Sequence, residues 1–196
     1  MSKLKLVILG STRGSNMQAI IDAITIKQVD ANIELVISNK KEAYILQRAK
    51  EHNIPNKFLS AKGLDREQYD QLLIQEIQSY NPDLIMLIGF MRILGKDFIN
   101  YFRGKILNIH PSLLPKYAGL MDLAVHQSVI DAKEIKSGCT IHQVTEDVDG
   151  GQVVLQLECD VLATDMAETL KERVQKLESK AWVEVIKNWR KSNKNL

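Results

Sequence analysis

The strongest constraint on this chain is the exchange of two hydrophobic periods along its first half. Short apolar runs alternate with segments whose apolar residues recur at helical spacing. Residues 4–9 form an apolar run ended by Gly10 and read as a buried strand. Residues 15–26 carry Met17, Ile20, Ile21 and Ile24 on a helical repeat. A strand is expected over 33–37, a helix over 42–52, and a weak strand at Lys57, Phe58 and Leu59. The clearest helix covers 65–80, where Tyr69, Leu72, Leu73, Ile77 and Tyr80 share one face. Asp65 is its N-cap, with Gln68 three residues on as in a capping box, and Asn81-Pro82-Asp83 stops it. Residues 84–88 and 105–109 are two more strands. Strands separated by helices of this length imply right-handed crossovers. The fold class is therefore α/β: a Rossmann-like, mixed but mostly parallel sheet with helices on both faces.

The pattern changes after His110. Residues 139–144 and 152–161 read as strands joined by a loop too short to hold a helix, so this pair is expected to be antiparallel. A long helix over 166–191 follows. No repeat, low-complexity segment or linker divides the chain, and residues 1–196 are expected to form a single domain.

Composition narrows the function classes. A net charge of +2 gives no electrostatic reason to propose nucleic acid or a membrane surface as partner. The basic stretch from Lys187 to Lys194 reads as a solvated helix end. Cys139 and Cys159 are too few for a disulfide framework and lack metal-ligand spacing, so no metal is expected and a reduced, cytoplasmic setting fits. No apolar run approaches the roughly 20 residues that a membrane helix needs. The partners are expected to be small molecules, and the chain a monomer or a homodimer.

In an open parallel sheet, ligands gather at the carboxyl ends of the strands. The first such end is Gly10-Ser11-Thr12-Arg13-Gly14-Ser15-Asn16, a glycine-rich turn that opens a helix. Such a turn suits a phosphate, although its spacing matches neither the dinucleotide fingerprint nor the Walker loop. The second end is Gly89-Phe90-Met91-Arg92-Ile93-Leu94, an apolar loop after the strongest strand. The third is Asn108-Ile109-His110. Strand alternation points Asn108 and His110 the same way and Ile109 into the core, and Pro111 and Pro115 hold the backbone that follows. The fourth is the acidic loop Thr145-Glu146-Asp147-Val148-Asp149-Gly150-Gly151, which lacks calcium-loop spacing.

Asn108-Ile109-His110-Pro111-Ser112-Leu113-Leu114-Pro115 together with Asp149-Gly150-Gly151 resembles the folate-dependent formyltransferases, in particular those of the purine pathway. Motif order and spacing agree from the Gly14 loop to Glu178. The resemblance implies transfer of a formyl group from 10-formyltetrahydrofolate to the amine of glycinamide ribonucleotide, in de novo purine biosynthesis. It assigns Asn108, His110 and Asp149 as the catalytic set. It assigns Arg66, Met91, Arg92, Ile93 and Leu94, with Thr145, Glu146, Asp147, Val148, Asp149 and Asn108, to the folate. Gly14, Ser15 and Asn16 match the loop for the substrate phosphate. Gln175 and Glu178 match a helical segment that holds the glycinamide amine. His142 and Ser112 take supporting places. The implied chemistry is direct attack of the amine on the formyl carbonyl, through a tetrahedral intermediate. Asn108 and His110 serve as oxyanion donors, and Asp149 pairs with His110 and relays a proton with an ordered water. No covalent enzyme intermediate is needed, which agrees with a set that lacks a nucleophilic Ser or Cys.

The segment from Tyr117 to His126 departs from the family's histidine-rich pattern, and Arg13 either holds phosphate or faces solvent. Three other readings stand beside this one. A formyltetrahydrofolate hydrolase would keep the same three residues but usually carries an N-terminal regulatory domain. A non-catalytic nucleotide-binding module on the same fold would not need all three. A transfer-RNA formyltransferase would call for a further C-terminal domain and a basic surface.

Overall fold

The computed structural model describes residues 2–192. Lys194 of the basic stretch lies outside them. The elements follow the order β1 (Leu4–Gly10), α1 (Ser15–Thr25), β2 (Ala31–Ser38), α2 (Tyr44–Glu51), β3 (Asn56–Phe58), α3 (Arg66–Ile77), β4 (Leu84–Ile88), α4 (Lys96–Tyr101), β5 (Ile106–His110), α5 (Leu123–Asp131), β6 (Lys136–Gln143), β7 (Val153–Asp160) and α6 (Ala167–Ser192). A single 3-10 turn, Gln78–Tyr80, follows α3. The strands form a seven-stranded sheet in the order β3-β2-β1-β4-β5-β6-β7. The chain divides into two compact units after Asn108.

In the first unit every pairing is parallel: β1 with β2, β2 with β3, and β1 with β4. Ile8 lies opposite Val36 on one side and Met86 on the other. β4 continues in parallel to the start of β5, with Leu87 opposite Asn108. The chain builds outward from β1 to β3 and then returns to the other side of β1 to lay β4. The carboxyl ends of β1 and β4 therefore flank the switch point of the sheet, where open α/β sheets bind ligands. β4 is buried along its whole length, as is β1 from Leu6 to Leu9. This explains why both read as unbroken apolar runs rather than alternating ones. α3 has the expected capping box: the Gln68 N–H donates to the Asp65 carboxylate at 2.8 Å, and the Asp65 N–H donates to Gln68 Oε1 at 3.1 Å. Its buried face is Tyr69, Asp70, Leu73, Ile74 and Ile77. The inclusion of an aspartate there is a departure from the sequence pattern, in which Leu72 and Tyr80 were on that face.

In the second unit β6 and β7 are antiparallel, with Thr140 opposite Gln156. α6 packs on both strands and on α5. Its buried side chains, among them Val174, Ala181, Trp182, Val185 and Ile186, and the buried Cys139 and Ile141 of β6, on which it packs, belong to the core of this unit. α4 and α5 were not expected from the sequence. α4 has only six residues, too few to display a helical period. α5 buries Val125, His126 and Val129, a stripe that a histidine interrupts.

Candidate active site

The site is built from a strand end, a turn and a hairpin loop of the second unit. β5 ends at His110, whose side chain is 5% exposed. Ile109, expected in the core, is only half-buried, as is Asn108 two residues before His110. The hairpin loop between β6 and β7 brings Asp149 to His110 across a long stretch of sequence. His110 Nδ1 stands 3.1 Å from Asp149 Oδ2. His142, buried on β6, places Nε2 3.4 Å from the other oxygen, Oδ1, and directs Nδ1 at the carbonyl of Gln143 at 2.9 Å. The Gly119 N–H donates to Asp149 Oδ2 at 2.9 Å. Burial alone would favour the neutral acid. Hydrogen bonds from His110, His142 and the Gly119 N–H outweigh it and hold the Asp149 carboxyl far below the ordinary carboxylate range.

His110 has a second partner. Its Nε2 lies 3.1 Å from the carbonyl oxygen of Tyr117. Both ring nitrogens therefore face oxygen acceptors, and a ring with a proton on each nitrogen satisfies both. In the sequence Tyr117 and Gly119 fell within the segment that departs from the family pattern and had no place in the expected site. The turn that carries them has two residues at positive φ, Tyr117 at 63° and Gly119 at 77°. Only the glycine gave a hint of this turn. Ser112 is fully buried, and its hydroxyl donates to the carbonyl of Lys116 at 2.6 Å, closing the start of the same turn. Thr140 bonds the Ser112 carbonyl at 2.7 Å and receives the Leu114 N–H at 3.1 Å. These bonds make the segment after His110 a fixed scaffold.

Asp149 itself sits at φ 54°, a strained setting for a residue with a Cβ. The loop before it is exposed at Thr145, Glu146, Asp147 and Val148, and the Thr145 hydroxyl donates to the Asp147 carbonyl at 3.1 Å. Gly151 closes the loop so tightly that a Cβ there would lie 1.8 Å from the Gln143 carbonyl oxygen. On α6, Gln175 is exposed but Glu178 is 9% exposed and so belongs to the buried face. The Cys139 thiol is pushed up to about 12, first by burial and then by the Glu178 charge.

The remaining expected residues belong to the first unit. Gly14, at φ 68°, is the N-cap of α1, and a Cβ on it would strike Ile45 of α2 at 2.6 Å. Ser15 is exposed and Asn16 buried, and the first N–H groups of a helix lack intrahelical acceptors. The carbonyl of Arg13 accepts from Arg48 Nε at 2.8 Å. After β4, Met91 and Ile93 are exposed, Leu94 is buried, and Arg92 lies over the Tyr69 ring at 4.7 Å. Arg66 is exposed at the first position of α3. Among the described residues no group of three or more His, Cys, Asp or Glu side chains could hold a metal ion. No helix among them is long and apolar enough to cross a membrane.

The chain is similar to known proteins. A family model described as Formyl transferase matches residues 4–186. The phosphoribosylglycinamide formyltransferase of Escherichia coli (strain K12) is 43% identical over 173 residues, covering 88% of this chain and 80% of that protein. That of Haemophilus influenzae is 42% identical over 184 residues, 93% of this chain and 85% of the relative. The solved structure of the Coxiella burnetii phosphoribosylglycinamide formyltransferase, in complex with CHES, superposes with a TM-score of 0.90. It is 40% identical, with 96% of this chain and 87% of that one covered.

Proposed function

Because the chain belongs to the formyl transferase family, we propose that it transfers the formyl group of 10-formyltetrahydrofolate to the glycinamide amine of N1-(5-phospho-D-ribosyl)glycinamide, in de novo purine biosynthesis. It is a one-carbon group transferase. The observation that carries the reading is the buried contact of His110 with a carboxylate, Asp149, held ionised by three hydrogen bonds. We assign the reaction to the cytoplasm, the working form to a monomer or homodimer, and residues 1–196 to one formyltransferase domain.

The residues present fit a folate. Met91 and Ile93 expose apolar side chains, as Val148 does on the hairpin loop, which suits a flat ring. Arg92 and Arg66 offer cations to glutamate carboxylates. The backbones of Leu94 and of Thr145, Glu146 and Asp147 complete the proposed donor site. When bound, 10-formyltetrahydrofolate supplies the activated formyl carbonyl. Asn108 and His110 donate to its oxygen, where negative charge develops. To do so, the His110 Nε2–H must be shared with, or released from, the Tyr117 carbonyl. Asp149 pairs with His110 and, through an ordered water, relays the proton that the attacking amine loses to the folate N10, which leaves as its bond to the formyl carbon breaks. His142 and Ser112 hold this group in place. At the start of α1, Gly14, Ser15 and Asn16 direct N–H groups at the substrate phosphate. On α6, Gln175 and Glu178 accept from the glycinamide amine.

The test is an assay of the purified chain with glycinamide ribonucleotide and 10-formyltetrahydrofolate. Formylated glycinamide ribonucleotide is the expected product. Release of formate independent of the ribonucleotide would favour the hydrolase instead. Binding without turnover would favour the non-catalytic module.

A further inference from the structure

The loop after β4 is tied down at both ends by buried polar side chains that contribute nothing to the proposed chemistry. At its start, the Met91 N–H donates to the Ser11 hydroxyl at 2.9 Å, and that hydroxyl donates to Asn39 Oδ1 at 2.5 Å. The Ser11 N–H also donates to the Gly89 carbonyl at 3.0 Å. At its end, the Gly95 N–H donates to Asp70 Oδ2 at 2.8 Å, and the Phe98 N–H donates to the same carboxylate. Ser11 is 4% exposed and Asp70 1%. Burial pushes the Asp70 carboxyl up, against the pull of those two N–H groups. A buried acid on a helix face is costly unless it is satisfied, so its retention there calls for an explanation.

Glycine at position 95 completes the device. A Cβ at Gly95 would lie 2.4 Å from Asp70 Oδ2 and 3.1 Å from Arg66 Cδ. The backbone can reach the carboxylate only because that Cβ is missing. Between the two ties, Arg92 stacks on Tyr69, whose hydroxyl donates to the Leu59 carbonyl at 3.1 Å. Arg92, Ile93 and Leu94 make no backbone–backbone hydrogen bond with other described residues. Met91 and Ile93 are 44% and 55% exposed. The clamp therefore holds out a short peptide edge and two apolar side chains, in one shape, before any ligand arrives. Ser11 also begins the turn that leads to Gly14, so the same hydroxyl joins the two loops that flank the switch point.

We infer that Ser11 and Asp70 are positioning residues for the formyl donor: they preform the 91–95 loop and so set donor affinity without touching the donor. The inference rests on the reading of that loop as part of the folate site. A preformed loop lowers the ordering cost of binding, so loss of a tie falls on binding rather than on the chemical step.

The experiment measures steady-state kinetics of the full chain with each substrate varied separately, for Asp70→Ala, Asp70→Asn and Ser11→Ala. Asp70→Ala, which leaves the Gly95 and Phe98 N–H groups without this acceptor, should raise KM for 10-formyltetrahydrofolate about tenfold or more, while kcat and KM for the ribonucleotide move much less. Asp70→Asn keeps an acceptor oxygen for Gly95 and should recover much of the loss. A general structural role would instead lower the yield of active enzyme or affect both substrates alike. Ser11→Ala removes one hydroxyl and keeps the strand, so it carries the test if Asp70→Ala does not fold. Active variants with wild-type donor KM overturn the inference alone. A wild type that transfers no formyl group overturns the functional reading and the inference with it.

Discussion

Asp149 is a buried negative charge with three donors aimed at two oxygens. Asp149→Asn keeps the shape but puts an amide N–H where an acceptor is required. Turnover should fall by roughly a hundredfold or more, with KM for either substrate changed far less, because the group acts on charge that develops only during reaction. A folded Asp149→Asn protein with near-normal kcat would remove Asp149 from the mechanism. His126 offers a different residue-scale test. It is 1% exposed, and its Nδ1 has no hydrogen-bond partner among the described residues. Burial first, then the Lys171 charge, pull it down to about 4, against the opposing effect of Asp122. Lys171 and Asp122 are themselves ion-paired. The unfolded chain takes up this proton near pH 6.5, whereas the folded chain does so only near 4. The contribution to stability is thus full above about pH 6.5 and drains away as the pH falls toward 4, by at most about 3 kcal/mol. Urea unfolding midpoints should show this loss in the wild type, and His126→Gln should flatten it.

At the scale of elements, the hairpin loop between β6 and β7 brings the proposed catalytic carboxylate to His110. Its geometry depends on Gly151, which the sequence showed only as half of a Gly-Gly pair. Gly151→Ala drives a Cβ into the Gln143 carbonyl, so the backbone must shift. We expect a loss of about 2 kcal/mol or more, a fall in Tm of several degrees, and a drop in kcat because Asp149 moves with the loop. Calorimetry and kinetics on one preparation check both. The helices show where local reading succeeds. α3 was legible to its cap, because a capping box is an interaction between residues three apart. α1 was legible from period alone, and the expected helix over 166–191 matches α6 to within one residue at each end. α2 starts later than expected, at Tyr44, because Ala43 stays extended and donates to Lys40. α4 and α5 escaped because one is too short and the other follows a turn with residues at positive φ that no local pattern announces.

At the scale of the molecule, the proposal assigns every residue for catalysis and binding to a single copy of the chain. Turnover per chain should therefore not depend on protein concentration, whether the working form is a monomer or a homodimer. A specific activity that collapses on dilution, with the chain still folded, would show that a second copy completes the site. The sequence by itself determined the α/β class, the parallel first half and the antiparallel pair after His110, and it pointed to the stretches proposed to carry the chemistry. These rest on hydrophobic period, caps and short motifs, which act over a few residues. Only the tertiary structure decided that His142 and the Gly119 N–H would join His110 on one carboxylate, that the Tyr117 carbonyl would occupy the far nitrogen of His110, that Glu178 would turn inward, and that Ser11 and Asp70 would grip the loop after β4. The reason is physical: such contacts join residues far apart along the chain. Strand register, helix packing and the absence of a Cβ at Gly95 and Gly151 bring them together, and none of these leaves a period in the sequence.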